Sequence, residues 1–121
     1  MPYQNTWKND GLHRIFTGTV TAEEVLTSNL SIHGDKRFDD LKYVYNDFSQ
    51  VDDYVLNTFD IYNITSIDNI AATYNEKLKV IIIAKNEGIL KGAHIYAEQM
   101  KDTPFKILVF DNVESALQNI P

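Results

Sequence analysis

Two runs of consecutive apolar residues constrain the fold of this chain more than any other feature. Residues 80–84 read Val-Ile-Ile-Ile-Ala, and residues 107–110 read Ile-Leu-Val-Phe. A strand that is apolar at every position, instead of at alternate positions, needs cover on both of its faces. We therefore predict that both runs are strands lying side by side in the middle of one sheet, with helices packed on both sides.

The first helix has clear boundary signals. Thr21-Ala22-Glu23-Glu24 fits a capping box, in which the Thr21 hydroxyl accepts from the Glu24 amide and the Glu24 carboxylate reaches back. Gly34 provides a stop at the other end. The apolar stripe of this first helix comprises Ala22, Val25, Leu26, Leu30 and Ile32.

A strand follows over residues 41–45, and we expect it to end in the turn-forming residues 46–49.

Two more helices follow from the apolar spacing after this strand. The second helix begins at Asn57 or Thr58, and Asp60 is well placed for its positive N-terminus. The third covers residues 89–100, and Pro104 lies just beyond it because proline cannot continue the helical pattern.

The N-terminal region predicts a β-hairpin. Residues 3–8 and 13–20 are two β-prone runs that flank Asn9-Asp10-Gly11, and an Asp-Gly pair between such runs is a good hairpin signal. Gly18, inside the second run, indicates a bulge or a close backbone approach.

These elements together define the fold class. A short last helix over residues 113–120, capped by Asp111 or Asn112, completes the order ββαβαβαβα. We predict one α/β domain over residues 1–121. Its single sheet has four to five strands, is mostly parallel and begins with an antiparallel hairpin, and the helices pack on it.

Composition limits the partners. The chain has 11 basic and 17 acidic residues, a net charge of −6 and no cysteine, so we expect no nucleic-acid partner and no thiolate or disulfide chemistry. No apolar run approaches the roughly 20 residues of a membrane span. The first residues lack the pattern of a signal peptide, which favours the cytoplasm.

Several segments resemble the bacterial STAS-like domains, which are related to anti-sigma-factor antagonists and share a fold with CRAL-TRIO lipid-binding domains. The similar segments span almost the whole chain: 10–11, 18–24, 47–49, 78–84 and 110–117. The resemblance implies a sheet of four or five strands in a binding or regulatory module, and it does not imply enzymatic activity.

In the antagonists, an Asp-Ser-Ser phosphoacceptor lies at a helix N-terminus after the third strand. Here Leu56-Asn57-Thr58 aligns with that triplet, and only Thr58 retains a hydroxyl. Two interpretations of Thr58 stay open. It is an N-cap, or it is a regulated phosphosite, since a helix N-terminus stabilises added negative charge.

The sequence offers no recognisable catalytic or metal site, so we expect neither catalysis nor a cofactor. His13, His33 and His94 lie on different predicted elements. We interpret His94 and Glu98, one helical turn apart, as a surface pair, because two ligands are too few for zinc. His33 at a helix C-terminus fits a role in stabilising the helix dipole.

Six aromatic residues concentrate around the third strand and the second helix, where they build core or line a crevice: Tyr43, Tyr45, Phe48, Tyr54, Phe59 and Tyr62. Ligands of open α/β sheets bind near the carboxyl ends of the strands. The predicted site at this strand-to-helix junction therefore consists of Ser49, Asn57, Thr58 and Asp60, with Tyr54 and Phe59 as apolar walls.

The sequence thus predicts a noncatalytic binding or regulatory domain of STAS-like type that binds a protein partner or an apolar small molecule, whose identity the sequence does not give. A lipid or another apolar small molecule is the alternative ligand, and a small hydrolase is a remote alternative. A homodimer is also plausible, because the N-terminal hairpin leaves an edge strand open to pairing.

Overall fold

The chain forms one five-stranded sheet and four α-helices over residues 3–121, the residues that the computed structural model describes. A short 3₁₀ turn, Phe38–Asp40, precedes the third strand. The element order ββαβαβαβα is the predicted one. The bounds are β1 Tyr3–Trp7, β2 Gly11–Thr21, α1 Ala22–His33, β3 Tyr43–Val55, α2 Thr58–Ala71, β4 Lys79–Ile83, α3 Glu87–Met100, β5 Lys106–Phe110 and α4 Val113–Leu117.

The sheet is mixed, as predicted. Its strand order is β1-β2-β3-β4-β5; β1 pairs with β2 antiparallel and the other neighbours are parallel. The hairpin turn is closed by a 2.8 Å bond from the Lys8 amide to the Gly11 carbonyl. Gly18 has φ of 69° and lies at a register shift against β3, which confirms the bulge; a positive φ is easy only for glycine.

The helices cover both faces of the sheet, but unequally. One face packs against α1, α2 and α3, and its core includes Val44, Val80 and Ile82. The other face packs against the short α4, whose Ala116 contacts a smaller core containing Ile81. Successive residues of β4 alternate between the two cores, which explains why this strand is apolar at every position.

The prediction that residues 107–110 lie in the middle of the sheet is wrong. β5 does lie beside β4, but it is the last strand, and its apolar residues are only half-buried. Ile107 and Val109 pack toward the three-helix core and Phe110 packs toward α4. Cover on both faces therefore suffices for a consecutive apolar run, even where one edge is open.

The third strand is much longer than predicted. β3 continues through residues 46–49 to Val55, because β2 offers backbone partners up to its own end, where Thr21 pairs with Val55. Asn46 does not end the strand, since its Nδ2 donates to the Ile81 carbonyl of β4 at 3.2 Å. Beyond Asp47, β3 pairs only with β2 within the described residues.

The first helix differs from its prediction on two points. Thr21 Oγ1 accepts from the Glu24 amide at 3.2 Å, but Glu24 Oε2 is buried without a hydrogen-bond partner among residues 3–121, so the reciprocal half of the box is absent. Leu30 is 53% exposed, while Ser28 and Asn29 are buried. The inward face of α1 is therefore partly polar.

The other helices begin close to the predicted positions. Asn57 is the N-cap of α2 and Asn112 the N-cap of α4. The sequence analysis missed Asn86, which caps α3. α4 ends at Leu117, three residues earlier than predicted. No helix within residues 3–121 is both long enough and apolar enough to cross a membrane.

Candidate functional site

A cavity of about 110 Å³ lies between the sheet and the three helices α1, α2 and α3. Most of its wall is aliphatic, with side chains such as Ile32, Ile64 and Ile82. One part of the wall is polar, and its residues, together with Ser28, which accepts from Arg14, form what we call the polar cluster. Its members are Arg14, Ser28, Asn29, Asn46, Asp68 and Tyr96.

Arg14 is the cation of the polar cluster and is 5% exposed. Its Nε and Nη2 donate to Asn46 Oδ1 at 2.8 and 2.6 Å, and its Nη1 donates to Ser28 Oγ. Burial lowers the pKa of Arg14 to about 10, and the nearby Asp68 opposes that shift. Arg14 is therefore still charged at neutral pH, yet both of its hydrogen-bond partners are neutral.

Asp68 is the anion of the polar cluster. It accepts from the Tyr96 hydroxyl at 2.6 Å and from Asn29 Nδ2 at 3.2 and 3.3 Å. Burial raises the pKa of Asp68 to about 6, although the Tyr96 bond and the Arg14 charge act in the opposite direction. Asp68 thus titrates at a higher pH than most carboxylates, whose pKa values are about 4.

Asn29 leaves one hydrogen-bonding atom unused. Its Nδ2 is committed to Asp68, so its Oδ1 points elsewhere, is buried, and has no hydrogen-bond partner among residues 3–121. Asn29 is 6% exposed and lines the cavity. A buried acceptor without a partner costs about 1–3 kcal/mol, so it is uncommon in folded proteins.

His33 also lines the cavity, at the end of α1. Its Nε2 lies 3.5 Å from Asp68 Oδ1, and its ring contacts Phe38 with 5.1 Å between centroids. Burial, assisted by Arg14, lowers the pKa of His33 to about 4. The predicted role at the helix dipole is wrong, because His33 is uncharged at neutral pH and cannot compensate the negative helix end.

The other two histidines lie away from this cavity. His13 is on the opposite face of the sheet, where Nε2 lies 3.0 Å from the Tyr43 hydroxyl and the ring stacks on Tyr45. His94 is exposed on α3, and Glu98 pairs with Lys101 at 2.7 Å. Within residues 3–121, no group of three or more His, Asp or Glu side chains is arranged to hold a metal ion.

Three of the six predicted site residues, Asn57, Thr58 and Asp60, lie together at the start of α2. Asn57 Oδ1 accepts from the Asp60 amide and Asp60 Oδ2 accepts from the Asn57 amide, both at 2.9 Å, which is a complete capping box. Asn57 is therefore the N-cap, and Thr58, the first residue of α2, is not. Thr58 is exposed, and Leu56 and Ile61 on either side of it line the cavity.

Of the remaining predicted residues, Ser49 and Tyr54 lie apart from this group, and Phe59 lies within the same turn of α2 but is exposed. Ser49 is not at the junction: it lies inside β3, where its amide donates to Asp47 Oδ1 at 2.8 Å. Tyr54 packs on the start of α3, since a Cβ added to Gly88 would lie 1.8 Å from its hydroxyl oxygen. Phe59 is 70% exposed and does not line the cavity.

Four large apolar or aromatic side chains are exposed on the outer side of α2 and just after it, with polar residues such as Asn63 and Ser66 between them. Phe59, Tyr62 and Ile70 are 70%, 44% and 65% exposed, and Tyr74, just after the helix, is 70% exposed. Their spacing of three, eight and four residues places them on one side of a helix with 3.6 residues per turn. We call these four residues the α2 surface.

The sequence analysis missed the polar cluster. Two weak signals existed. Arg14 lies two residues from Leu12 and Phe16, so strand alternation points it toward the same covered face. Asp68 lies four residues after Ile64 and three before Ala71, which is the inward spacing of a helix.

A comparison with solved structures identifies the fold. The sequence matches no protein-family model and no curated protein. The structure is similar to that of an uncharacterised DUF3478-family protein with a SpoIIAA-like fold from Shewanella loihica PV-4. The alignment covers 96% of this chain and 90% of that one, with a TM-score of 0.55 and 15% sequence identity. The chain therefore has the SpoIIAA-like fold, which is the fold of the STAS-like domains that its sequence resembles.

Proposed function

We propose that this protein is a noncatalytic, cytoplasmic binding domain that recognises a protein partner through the α2 surface. The observation that carries the proposal is the exposure of four large apolar or aromatic side chains on the outer side of α2 and just after it. Interfaces are enriched in aromatic side chains at their centres, and this surface offers Phe59, Tyr62 and Tyr74 beside Ile70. Burying one such side chain contributes about 1.5–3 kcal/mol.

Charge narrows the kind of partner. Residues 58–71 contain no lysine, arginine or histidine, Asp60 lies directly after Phe59, and the whole chain carries a net charge of −6. A partner with a basic rim around an apolar centre would complement this surface and associate faster.

Thr58 offers a way to regulate this binding. Its side chain is exposed at the first position of α2, directly before Phe59. A phosphate there would be stabilised by the helix N-terminus, but it would place a strongly hydrated charge at the edge of an apolar interface. Phosphorylation of Thr58 should therefore release the partner.

The test replaces apolar residues of the α2 surface. It then compares the cell proteins that become crosslinked to the wild type, to the variant and to a control. A Phe59→Ser/Ile70→Ser variant should bind the partner about tenfold more weakly or worse, because central aromatic anchors contribute most of the binding energy of an interface. The matched control is Leu117→Ser, at an exposed leucine on α4. Quantitative mass spectrometry of crosslinked cell proteins gives the measurement. If wild type, control and variant retain the same proteins, the proposal is wrong.

Self-association is a further part of the proposal, at a different place. β1 is an edge strand, and the middle of this strand, residues 4–6, is exposed. Unpaired backbone groups on such an edge can pair with a second copy. Light scattering across protein concentrations measures this directly, and a monomer at the highest concentration would contradict it.

A second candidate function is the binding of an apolar small molecule in the cavity. The cavity supports it by its largely aliphatic wall, and the resemblance to CRAL-TRIO domains points the same way. Its volume of about 110 Å³ is below the roughly 300–1,000 Å³ of drug-sized pockets, and is closer to an engineered 150 Å³ cavity that holds benzene. Native mass spectrometry of the purified protein would show a retained ligand.

A further inference from the structure

We propose that the cavity is a binding site for a short-chain carboxylate, whose carboxylate group pairs with Arg14 and whose alkyl chain contacts the aliphatic wall. This inference rests on the second candidate function, small-molecule binding in the cavity, and adds the chemical class of the ligand. It is independent of the α2 surface.

Arg14 has hydrogen-bonding capacity to spare. A guanidinium carries five N–H donors, and the three contacts of Arg14 use one each from Nε, Nη1 and Nη2. Within residues 3–121, no carboxylate lies at ion-pair distance from it. A buried cation without a direct counter-ion is costly. Asp68 lines the same cavity but makes no direct ion pair with Arg14. A ligand carboxylate would supply such a direct pair through its two acceptor oxygens.

Asn29 provides a second, independent indication of a ligand. Its buried Oδ1 lacks a hydrogen-bond partner, and the residue lines the same cavity as Arg14. A donor on the ligand, such as a hydroxyl group, would satisfy this acceptor. Among short-chain carboxylates, a 2-hydroxy acid would therefore use both polar groups.

Charge balance makes a distinctive prediction. Four titratable side chains line the cavity: Arg14, His33, Asp68 and Tyr96. At neutral pH His33 and Tyr96 are uncharged, while Arg14 and Asp68 carry opposite charges. An added carboxylate would repel Asp68 and raise its pKa further above about 6. Asp68 should therefore take up a proton when the ligand binds.

The volume of the cavity limits the length of the ligand's alkyl chain. A cavity of about 110 Å³ is somewhat smaller than the roughly 150 Å³ that accommodates the six carbons of benzene. Butyrate, with six non-hydrogen atoms, fits this size, whereas a long fatty acid would require the helices to move apart.

The experiment titrates the full chain with four probes at pH 7 by isothermal calorimetry. Butyramide is the neutral isostere of butyrate, 2-hydroxybutyrate adds the hydroxyl, and decanoate represents a longer fatty acid. Butyrate should bind about tenfold tighter than butyramide, since hydrogen bonds to charged groups are the strong ones. 2-Hydroxybutyrate should bind tighter still, and decanoate no tighter than butyrate. Binding of butyrate should be accompanied by proton uptake, and binding of butyramide should not. Proton uptake is detected as a binding heat that changes with the ionisation enthalpy of the buffer.

A variant pair locates the site. Arg14→Met should remove the preference for butyrate over butyramide, and Arg37→Met, at an exposed arginine, should keep it. Should Arg14→Met fail to fold, the NMR signal of the Arg14 Nε–H group in the wild type decides the matter. That signal should shift with butyrate and not with butyramide.

Each contrary result has a definite meaning. Equal binding of butyrate and butyramide overturns the carboxylate inference and leaves the small-molecule function standing. Tighter binding of decanoate overturns the short-chain class. If none of the four probes binds at millimolar concentration, both the inference and the second candidate function are wrong, while the proposal for the α2 surface is unaffected.

Discussion

On the side of the sheet covered by α4, the buried side chains are aliphatic or aromatic apart from Asp47, which accepts from the Ser49 amide, whereas the side covered by α1, α2 and α3 buries an arginine and an aspartate. Ile81 and Ile83 represent the first side, and Arg14 and Asp68 the second. Apolar burial stabilises a fold without further conditions, but buried charges do so only when every polar atom is satisfied. The smaller α4 core therefore stabilises the fold mainly by apolar packing, whereas the larger three-helix core also contains buried charges whose contribution depends on their hydrogen bonds.

The largest expected effect is on the α4 side. Ile81→Ala should lower the free energy of unfolding by about 2–5 kcal/mol, because Ile81 is fully buried and its truncation leaves a void in a small core. Urea denaturation provides the measurement. A loss below 1 kcal/mol would show that this side does not carry the stability that we assign to it.

The next effect concerns the charges on the three-helix side. Arg14→Met should lower the free energy of unfolding by about 1–3 kcal/mol, since Asn46 and Ser28 lose their donor and Asp68 loses its nearby cation. The double variant Arg14→Met/Asp68→Asn should lose less than the single variant, because no isolated charge stays buried. A double variant less stable than Arg14→Met would contradict this account of the polar cluster.

The pH dependence of stability gives a smaller effect of opposite sign for two neighbours. The pKa of His33 is lowered from 6.5 to about 4, so the unfolded chain binds more protons there and His33 makes stability rise with pH between those values. The pKa of Asp68 is raised from 3.8 to about 6, so the folded chain binds more protons and Asp68 makes stability fall as pH rises through that window.

The opposite effects of His33 and Asp68 should therefore nearly cancel in the wild type, and together they should change its free energy of unfolding little between pH 4.5 and 6. Across the same interval, relative to wild type, Asp68→Asn should gain about 1–2 kcal/mol of stability as pH rises, and His33→Gln should lose a similar amount. Urea midpoints at the two pH values measure both. Equal pH profiles for the three proteins would show that the buried pair does not titrate as described.

The smallest effect is expected on the outside of the three-helix layer. Phe59→Ser should change the free energy of unfolding by no more than about 0.5 kcal/mol, because Phe59 is 70% exposed. Thermal unfolding compared with wild type is sufficient. A larger loss would mean that the α2 surface belongs to the fold and is not free for a partner.

The architecture could be predicted from sequence because its signals are local. Caps such as Asn112 and the Asp-Gly turn act within a few residues, and the apolar runs show which strands are covered on both faces. The position of β5 at the edge could not be deduced, since an edge strand covered on both faces has the same apolar pattern as an interior one.

The polar cluster could not be predicted because its bonds join distant parts of the chain. Arg14 bonds Asn46 across 32 residues, and Asn29 bonds Asp68 across 39. Leu30 was predicted to belong to the apolar stripe of α1 because it is hydrophobic, but it is exposed. Ser28 and Asn29 face inward instead, because their hydrogen-bond partners Arg14 and Asp68 lie in the core. The predicted junction residues, by contrast, are close in sequence, and the capping box of Asn57 and Asp60 brings them together.

The extension of β2 and β3 past the other strands has a mechanical consequence. Residues 17–21 and 50–55 pair only with each other within the described chain, so this ribbon lacks a third strand to stiffen it. A two-stranded ribbon twists and bends more readily than the interior of a sheet. Val20, on the ribbon, and Leu56, just after it, line the cavity. Tyr54, on the same ribbon, packs against Gly88 at the start of α3, so this contact holds the ribbon to the helical layer beside the cavity.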